Sequence, residues 1–151
     1  MAVTLLPYSL QDFDTLYAID QACYPRGIAY SRVVLRGFLT LPDACCLVAR
    51  TSGSADTTIA GFIVGESAGE DARIITIDVL KDYRRAGVGT ILLRGLEERL
   101  QSRGVRKVEL ETATTNVAGV AFWERHGYRK TGVLHGYYLG RLDAWKMRKR
   151  F

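Results

Sequence analysis

The alternation of apolar and polar positions divides the chain into short segments of two periods, one near two residues and one near four. Val3–Pro7 reads as a first strand. Ser9 then caps a helix with Asp12 in its first turn, and Phe13, Leu16, Tyr17 and Ile19/Asp20 give it a mixed apolar face. Pro25 and Gly27 break that pattern, and Ser31 caps a second helix reaching about Leu39 on Val34, Leu35 and Phe38. Three apolar runs follow, Ala44–Arg50, Thr58–Glu66 and Ile74–Leu80, separated by polar turns at Thr51–Ala55 and Ser67–Asp71. They predict an antiparallel meander. Val88, Leu92, Leu96 and Leu100 then recur on one helical face, predicting an amphipathic helix that ends near Gly104. Val105–Glu111 alternates again, with Val108 and Leu110 opposite Glu109 and Glu111. Asn116–His126 reads as a helix closed by Gly127, and Tyr128–Tyr138 and Asp143–Arg150 as a final strand pair joined around Gly140. The order β-α-α-β-β-β-α-β-α-β-β predicts an α/β fold with a mixed sheet.

At 151 residues the chain suits one domain over 1–151, large enough to bury a core without covalent staples. Its 21 Lys+Arg against 16 Asp+Glu leave a net charge of +5, which invites an anionic partner: nucleic acid, a membrane surface or a phosphorylated small molecule. Cys23, Cys45 and Cys46 make no disulfide framework, Cys45 and Cys46 reading as buried strand residues. The histidines His126 and His135 stand in no zinc-binding spacing, so no metal site is expected. The start of the chain lacks the basic region of a signal peptide, and no apolar run approaches the roughly 20 residues that span a bilayer. A cytoplasmic protein with no membrane partner is the expectation.

Candidate chemistry concentrates between Ile77 and Thr90, where an apolar strand runs through a glycine-bearing turn into a helix. A helix start offers unpaired N–H groups and partial positive charge, a seat for phosphate. Gly87 and Gly89 allow close approach to the backbone, and Arg84 and Arg85 add formal charge. The turn is no P-loop, because no Gly-Lys-Ser/Thr follows. It is no dinucleotide fingerprint either, since the third small residue would fall on Leu92. Alone, it serves equally well as a connection that binds nothing.

Three motifs in order carry a resemblance. They are Arg84-x-x-Gly87-x-Gly89, then Asn116 with Phe122-Trp123-Glu124-Arg125-His126-Gly127-Tyr128, then Tyr137-Tyr138 followed by Asp143-Ala144 and Met147. Together they resemble the GNAT acetyltransferase superfamily, and within it the ribosomal-protein N-terminal (alanine) acetyltransferases. The resemblance implies a GNAT fold: a mixed, mostly antiparallel sheet of about seven strands with about four helices. Two central strands, Ile74–Leu80 and Val105–Glu111, would splay and seat acetyl-CoA as co-substrate. By the same resemblance Ile77 and Val79 would pair with the pantetheine arm through their backbone. Arg84, Arg85, Gly87, Val88, Gly89 and Thr90 would hold the pyrophosphate. Asn116 would bond the cofactor further along, while a helix N-cap is equally good chemistry for it.

The implied reaction is attack of a neutral amine on the thioester, most readily by a protein N-terminal α-amine. An α-amine near 7.7–8.0 costs only about 1 kcal/mol to neutralise at pH 7, and a lysine near 10.4 costs nearly 5. Glu111, matching the family's Leu-Glu position, is the implied general base; a strand carboxylate paired with Lys107 or another basic residue is its alternative reading. Trp123 departs from the family, whose tyrosine there protonates the leaving thiolate; an indole N–H is no useful acid. Trp123 would then pack against the cofactor or in the core, leaving Tyr138, Tyr137, Tyr128 or solvent as proton source. Tyr24, Tyr30 and Tyr137 would flank the acceptor, although Arg26-Gly27-Ile28 replaces the Trp-rich form associated with the ribosomal-protein enzymes. His126 reads as a dipole partner at a helix end.

The expected partner is an acceptor peptide or small amine, with nucleic acid only through a ribosomal substrate, in a monomer or weak homodimer. A small-molecule or lysine acetyltransferase and a non-catalytic acyl-CoA binder are alternatives. So is an RNA- or ribosome-binding module using Lys146, Arg148 and Arg150, which share one strand face. A sheet edge guarded by charge explains those residues equally well.

Overall fold

The computed structural model describes residues 2–52 and 58–151. Its elements follow the predicted order: β1 (Ala2–Pro7), α1 (Phe13–Cys23), α2 (Arg32–Leu39), β2 (Ala44–Ser52), β3 (Thr58–Ala68), β4 (Asp71–Val79), α3 (Val88–Ser102), β5 (Lys107–Ala113), α4 (Val117–Arg125), β6 (Arg129–Tyr138) and β7 (Leu142–Arg150). Short 3-10 turns at Leu10–Asp12 and Lys81–Ala86 lead into α1 and α3. The seven strands form one sheet in the order β1-β2-β3-β4-β5-β7-β6. Every adjacent pair is antiparallel except β4 with β5.

Helices cover both faces. The stripe Val88, Leu92, Leu96 and Leu100 of α3 is fully buried, packed with Val120 and Trp123 of α4 against one face. On the other face Phe13, Leu16 and Ile19 of α1 meet Leu35 and Leu39 of α2 over Val48, Phe62 and Val64. Sandwiched this way, β3 is buried without interruption from Ile59 to Gly65, which is why it reads as one apolar run. Among the described residues no helix is long and apolar enough to cross a membrane.

Two boundaries differ from the prediction. The turn expected over Ser67–Asp71 shrinks to Gly69 and Glu70, with Gly69 at φ +62°, so β4 starts at Asp71 and takes in Arg73. The turn expected at Thr51–Ala55 begins later, since β2 reaches Ser52, and the rest of it lies outside the described residues.

The parallel contact between β4 and β5 is brief: Asp71, Ala72 and Arg73 pair with Lys107, Val108 and Glu109, and there the pairing ends. Beyond it β4 stays with β3 as far as Val79 opposite Gly61, and β5 stays with β7 as far as Ala113 opposite Ala144. A β-bulge marks the separation, with Ile74 opposite Gly65, Thr76 opposite Val64, and Ile75 extra. Before the bulge Ala72 and Ile74 pack on the α3 side; after it Ile77 and Val79 do, leaving Ile75 on the α1 side. The cleft-facing backbone of β4 thereby loses its ladder partner, and those polar groups need others.

The basic C-terminal strand is not an edge. β7 lies between β5 and β6, and β1 and β6 form the edges, so the charge-guarded-edge reading of Lys146, Arg148 and Arg150 is corrected.

Candidate active site

Where β4 and β5 part, a cavity of roughly 900 Å³ passes between them. On its β4 wall the released carbonyls have found side chains. Tyr24 Oη donates to the Ile77 carbonyl at 2.7 Å, Tyr30 Oη to that of Ile75 at 3.3 Å, and Arg84 Nε to that of Val79 at 2.9 Å. In an extended strand a residue's N–H and C=O point the same way, so the N–H groups of Ile77 and Val79 face the cavity too. Burial holds the Tyr24 hydroxyl well above its ordinary value, with the Asp78 carboxyl adding to the effect. Tyr24 and Tyr30, expected at an acceptor, both line the cavity and spend their hydroxyls on β4.

One end of the cavity is the start of α3. Gly87 has φ +79°, a left-handed conformation that suits glycine, and no side chain caps the helix there. The first-turn N–H groups are therefore open to a ligand. Gly87, Gly89, Thr90 and Arg84 border the cavity, whereas Arg85 is exposed outside it and the Val88 side chain is fully buried, leaving only the backbone of Val88 at the helix start. Phe122 of α4 closes in beside Gly89, where a Cβ would stand 3.3 Å from its ring. His126 locks this junction: its Nδ1–H donates to the Phe122 carbonyl at 2.8 Å, so Nε2 accepts from the Thr90 hydroxyl at 3.1 Å. Asn116 Oδ1 accepts from the Gly119 N–H at 3.0 Å, capping α4, and the residue also borders the cavity.

On the α1 side of the sheet stands Glu111, about one-fifth exposed. Its Oε2 accepts from Arg73 Nε at 3.1 Å, and Arg73 Nη2 donates to Tyr137 Oη at 3.2 Å, bridging β4, β5 and β6. Lys107 is not the partner of Glu111; it pairs with Asp71 and Glu109. Tyr137 and Tyr138 pack edge to face with ring centroids 4.9 Å apart. Burial, then the neighbouring Tyr137 and Glu111, push the Tyr138 hydroxyl up to about 12. Trp123 is at once core and cavity wall, 5% exposed, with its ring against Phe122 and Tyr128. Tyr128 is not a proton source for the cavity: its hydroxyl donates to Glu97 at 2.9 Å in the buried layer, where Lys149 also binds that carboxylate at 3.0 Å.

The model of the Acetyltransferase (GNAT) family matches residues 13–128 of this sequence. The chain belongs to the GNAT acetyltransferase family. The crystal structure of the ribosomal-protein-S18-alanine N-acetyltransferase from Escherichia coli superposes on it with a TM-score of 0.87 at 25% identity, over 99% of this chain and 94% of that one. Ard1 from Thermoplasma volcanium gives a TM-score of 0.86 at 27% identity, over 99% and 98%. In sequence, N-alpha-acetyltransferase 30 of Schizosaccharomyces pombe is 29% identical over 148 residues, 95% of each protein. The sheet with its parted central strands is the GNAT fold that the motifs implied. As a GNAT acetyltransferase the chain transfers an acetyl group from acetyl-CoA to an amine.

Two features of this GNAT acetyltransferase escaped the sequence reading. Arg73 is one, because it fell before the expected start of its strand. The other is a pair of buried acids. Asp78 of β4 meets Asp20 of α1, both fully buried. Thr76 Oγ1 donates to Asp78 Oδ1 at 2.6 Å, and the Tyr30 N–H to Asp20 Oδ2 at 2.7 Å. With both carboxyls ionised, Asp20 Oδ1 and Asp78 Oδ2 would be buried with no donor; one proton shared between them supplies it. Burial first, then Asp20, hold the Asp78 carboxyl well above the carboxylate range. The available signal was an acid on the core-facing stripe of α1 and a second within an apolar strand.

Proposed function

We propose that the protein acetylates protein N-terminal α-amines. In this reading acetyl-CoA lies from the start of α3 to the parting of β4 and β5, and the acceptor enters between Tyr24–Tyr30 and the β6–β7 turn. The observation that carries it is the cavity itself, which links an uncapped helix start at one end to Glu111 and the tyrosines at the other. Relatives named for N-terminal and alanine acetylation support the α-amine as acceptor, as does the smaller cost of neutralising it. The open N–H groups of α3 with the guanidinium of Arg84 suit the pyrophosphate, and the N–H groups of Ile77 and Val79, whose carbonyls are already bonded, suit the carbonyls of an amide-bearing arm.

The amine nitrogen attacks the thioester carbonyl; the C–N bond forms, the C–S bond breaks, and the nitrogen's proton passes to Glu111 directly or through one water. The leaving thiolate, with an ordinary value near 8.5, departs without needing a proton and takes one from solvent. A phenol held at about 12 does not readily give that proton up, so Tyr138 serves the reacting centre as a hydrogen-bond donor. The same reading places the reaction in the cytoplasm, where Cys23, Cys45 and Cys46 stay reduced.

Thiol release, followed with acetyl-CoA and peptides whose N-termini are free or blocked, tests this proposal. Free N-termini are expected to be acetylated, with mass spectrometry locating the group on the α-amine. Turnover confined to blocked, lysine-bearing peptides, or absent with every amine, would overturn it. A second measurement addresses the cofactor seat. Arg84→Ala is expected to weaken CoA binding about tenfold or more, the worth of one charge-assisted bond, and to affect binding of phosphate-free pantetheine much less, through the freed Val79 carbonyl alone. Arg85→Ala, altering a side chain outside the cavity, is expected to leave CoA affinity near wild type in the same titration.

A further inference from the structure

We propose that the acceptor of this enzyme is a polypeptide with acidic residues a few positions beyond its reactive amine, held on the open face of β5, β7 and β6. This rests on the N-terminal reading above and adds what the acceptor's next residues are. On the α1 side of the sheet, α1 and α2 pack over β2, β3 and β4 and do not extend over β5, β7 and β6.

Strand register sorts the side chains of that face into rows. Glu111 lies opposite Lys146, which lies opposite Gly132. The stem of Lys146 runs across Gly132, 4.0 Å from where a Cβ there would stand. One row further, Glu109 faces Arg148, which faces Arg129. In the last row Lys107 faces Arg150. With Arg73 and Asp71 of β4, and Glu66 of β3 opposite Arg73, the face carries six cations and four carboxylates.

Existing ion pairs use part of that charge: Arg73 with Glu111, Lys107 with Asp71 and Glu109, and Arg148 with Glu109. Among the described residues Lys146, Arg129 and Arg150 have no ion-pair partner, so an excess of positive charge begins with Lys146 beside the acceptor end of the cavity and runs outward along the face. Strands stand about 4.8 Å apart and rise about 3.3 Å per residue, so an extended chain starting at Glu111 passes Lys146 at once and reaches Arg129 roughly three to four residues on. A basic tail meets repulsion along the same path.

Single-stranded nucleic acid fits these rows poorly, because its binding platforms use successive exposed aromatic rings and the rows from Glu111 to Arg150 carry none, Tyr137 standing exposed only at the acceptor end. The one nearby indole, Trp145, points to the opposite face, where Lys130 Nζ sits 4.3 Å above its ring.

Three peptides with identical first two residues and acidic, neutral or basic residues at positions three to five, acetylated by the full chain, provide the test. The acidic peptide is expected to exceed the neutral one about tenfold in kcat/KM at low salt, the neutral one to exceed the basic, and both gaps to close as salt rises. Arg129→Glu combined with Lys146→Glu is expected to reverse the order. Equal kcat/KM for acidic and neutral peptides at low salt, or a preference of the unmodified protein for the basic one, overturns the acidic tail and leaves N-terminal acetylation standing. Acetylation of a small amine but of no peptide removes both. Salt-sensitive binding of a single-stranded oligoribonucleotide that the double variant loses, without any peptide preference, assigns the face to nucleic acid instead.

Discussion

Glu111→Gln is expected to lower kcat for peptide acetylation by about a hundred-fold to ten-thousand-fold while leaving CoA affinity unchanged, the range spanned by loss of a positioned general base. The substitution is close to isosteric. A glutamine carbonyl still accepts from Arg73 Nε, so the bridge from Glu111 through Arg73 to Tyr137 persists. In the proposed mechanism, what disappears is the acceptor for the proton that the attacking nitrogen must shed. Single-turnover rates with saturating acetyl-CoA report the chemical step, and calorimetric titration with CoA reports the binding. An unchanged rate with unchanged binding removes Glu111 as the base; a lost rate with lost binding assigns it to the architecture of the cleft.

The second large effect concerns stability and its pH dependence. Asp78 in the folded protein holds its proton well above the ordinary aspartate range, because of burial and then Asp20. Between the unfolded value near 3.9 and that raised value the native state binds more protons than the unfolded chain. Stability therefore falls as pH rises through this window, by up to about 1.4 kcal/mol per unit for one proton. Asp78→Asn has no proton to lose, yet its amide donates to Asp20 and its carbonyl accepts from Thr76. Its stability is expected to lack this decline, so the variant overtakes the unmodified protein at alkaline pH. Urea unfolding from pH 5 to pH 9 shows the curves diverging; parallel curves would exclude the shared proton.

Much of this fold was legible in one dimension, and particular residues show why. The α3 stripe from Val88 to Leu100 announces itself because a helix with one buried face must repeat its apolar residues near every fourth position, and all four are indeed fully buried. The glycine turn was legible because Gly87 at a positive φ before an uncapped helix leaves a residue-type trace. Strand neighbours leave none. Nothing in the alternation of Lys107–Ala113 says that it abandons β4 after three pairs, or that β7 inserts between β5 and β6. Asp20 and Asp78 were each visible as an acid in apolar company, but their meeting is a tertiary event. The hydroxyls of Tyr24 and Tyr30 were visible too, although the carbonyls they satisfy exist only because the ladder opens.

The bulge at Ile75 has a consequence for how one strand serves two layers. Up to Ile74 the strand points its odd-numbered side chains toward α1, so Arg73 reaches Glu111. After one supernumerary residue the parity inverts: Thr76 and Asp78 turn toward Asp20, and Ile77 and Val79 turn toward the core under α3. Without that inversion the strand would drive a carboxylate into the apolar layer and two aliphatic side chains against an acid. Ile75 thus works as a phase shifter, setting the guanidinium beside Glu111 and the acid pair behind the Tyr24–Tyr30 segment.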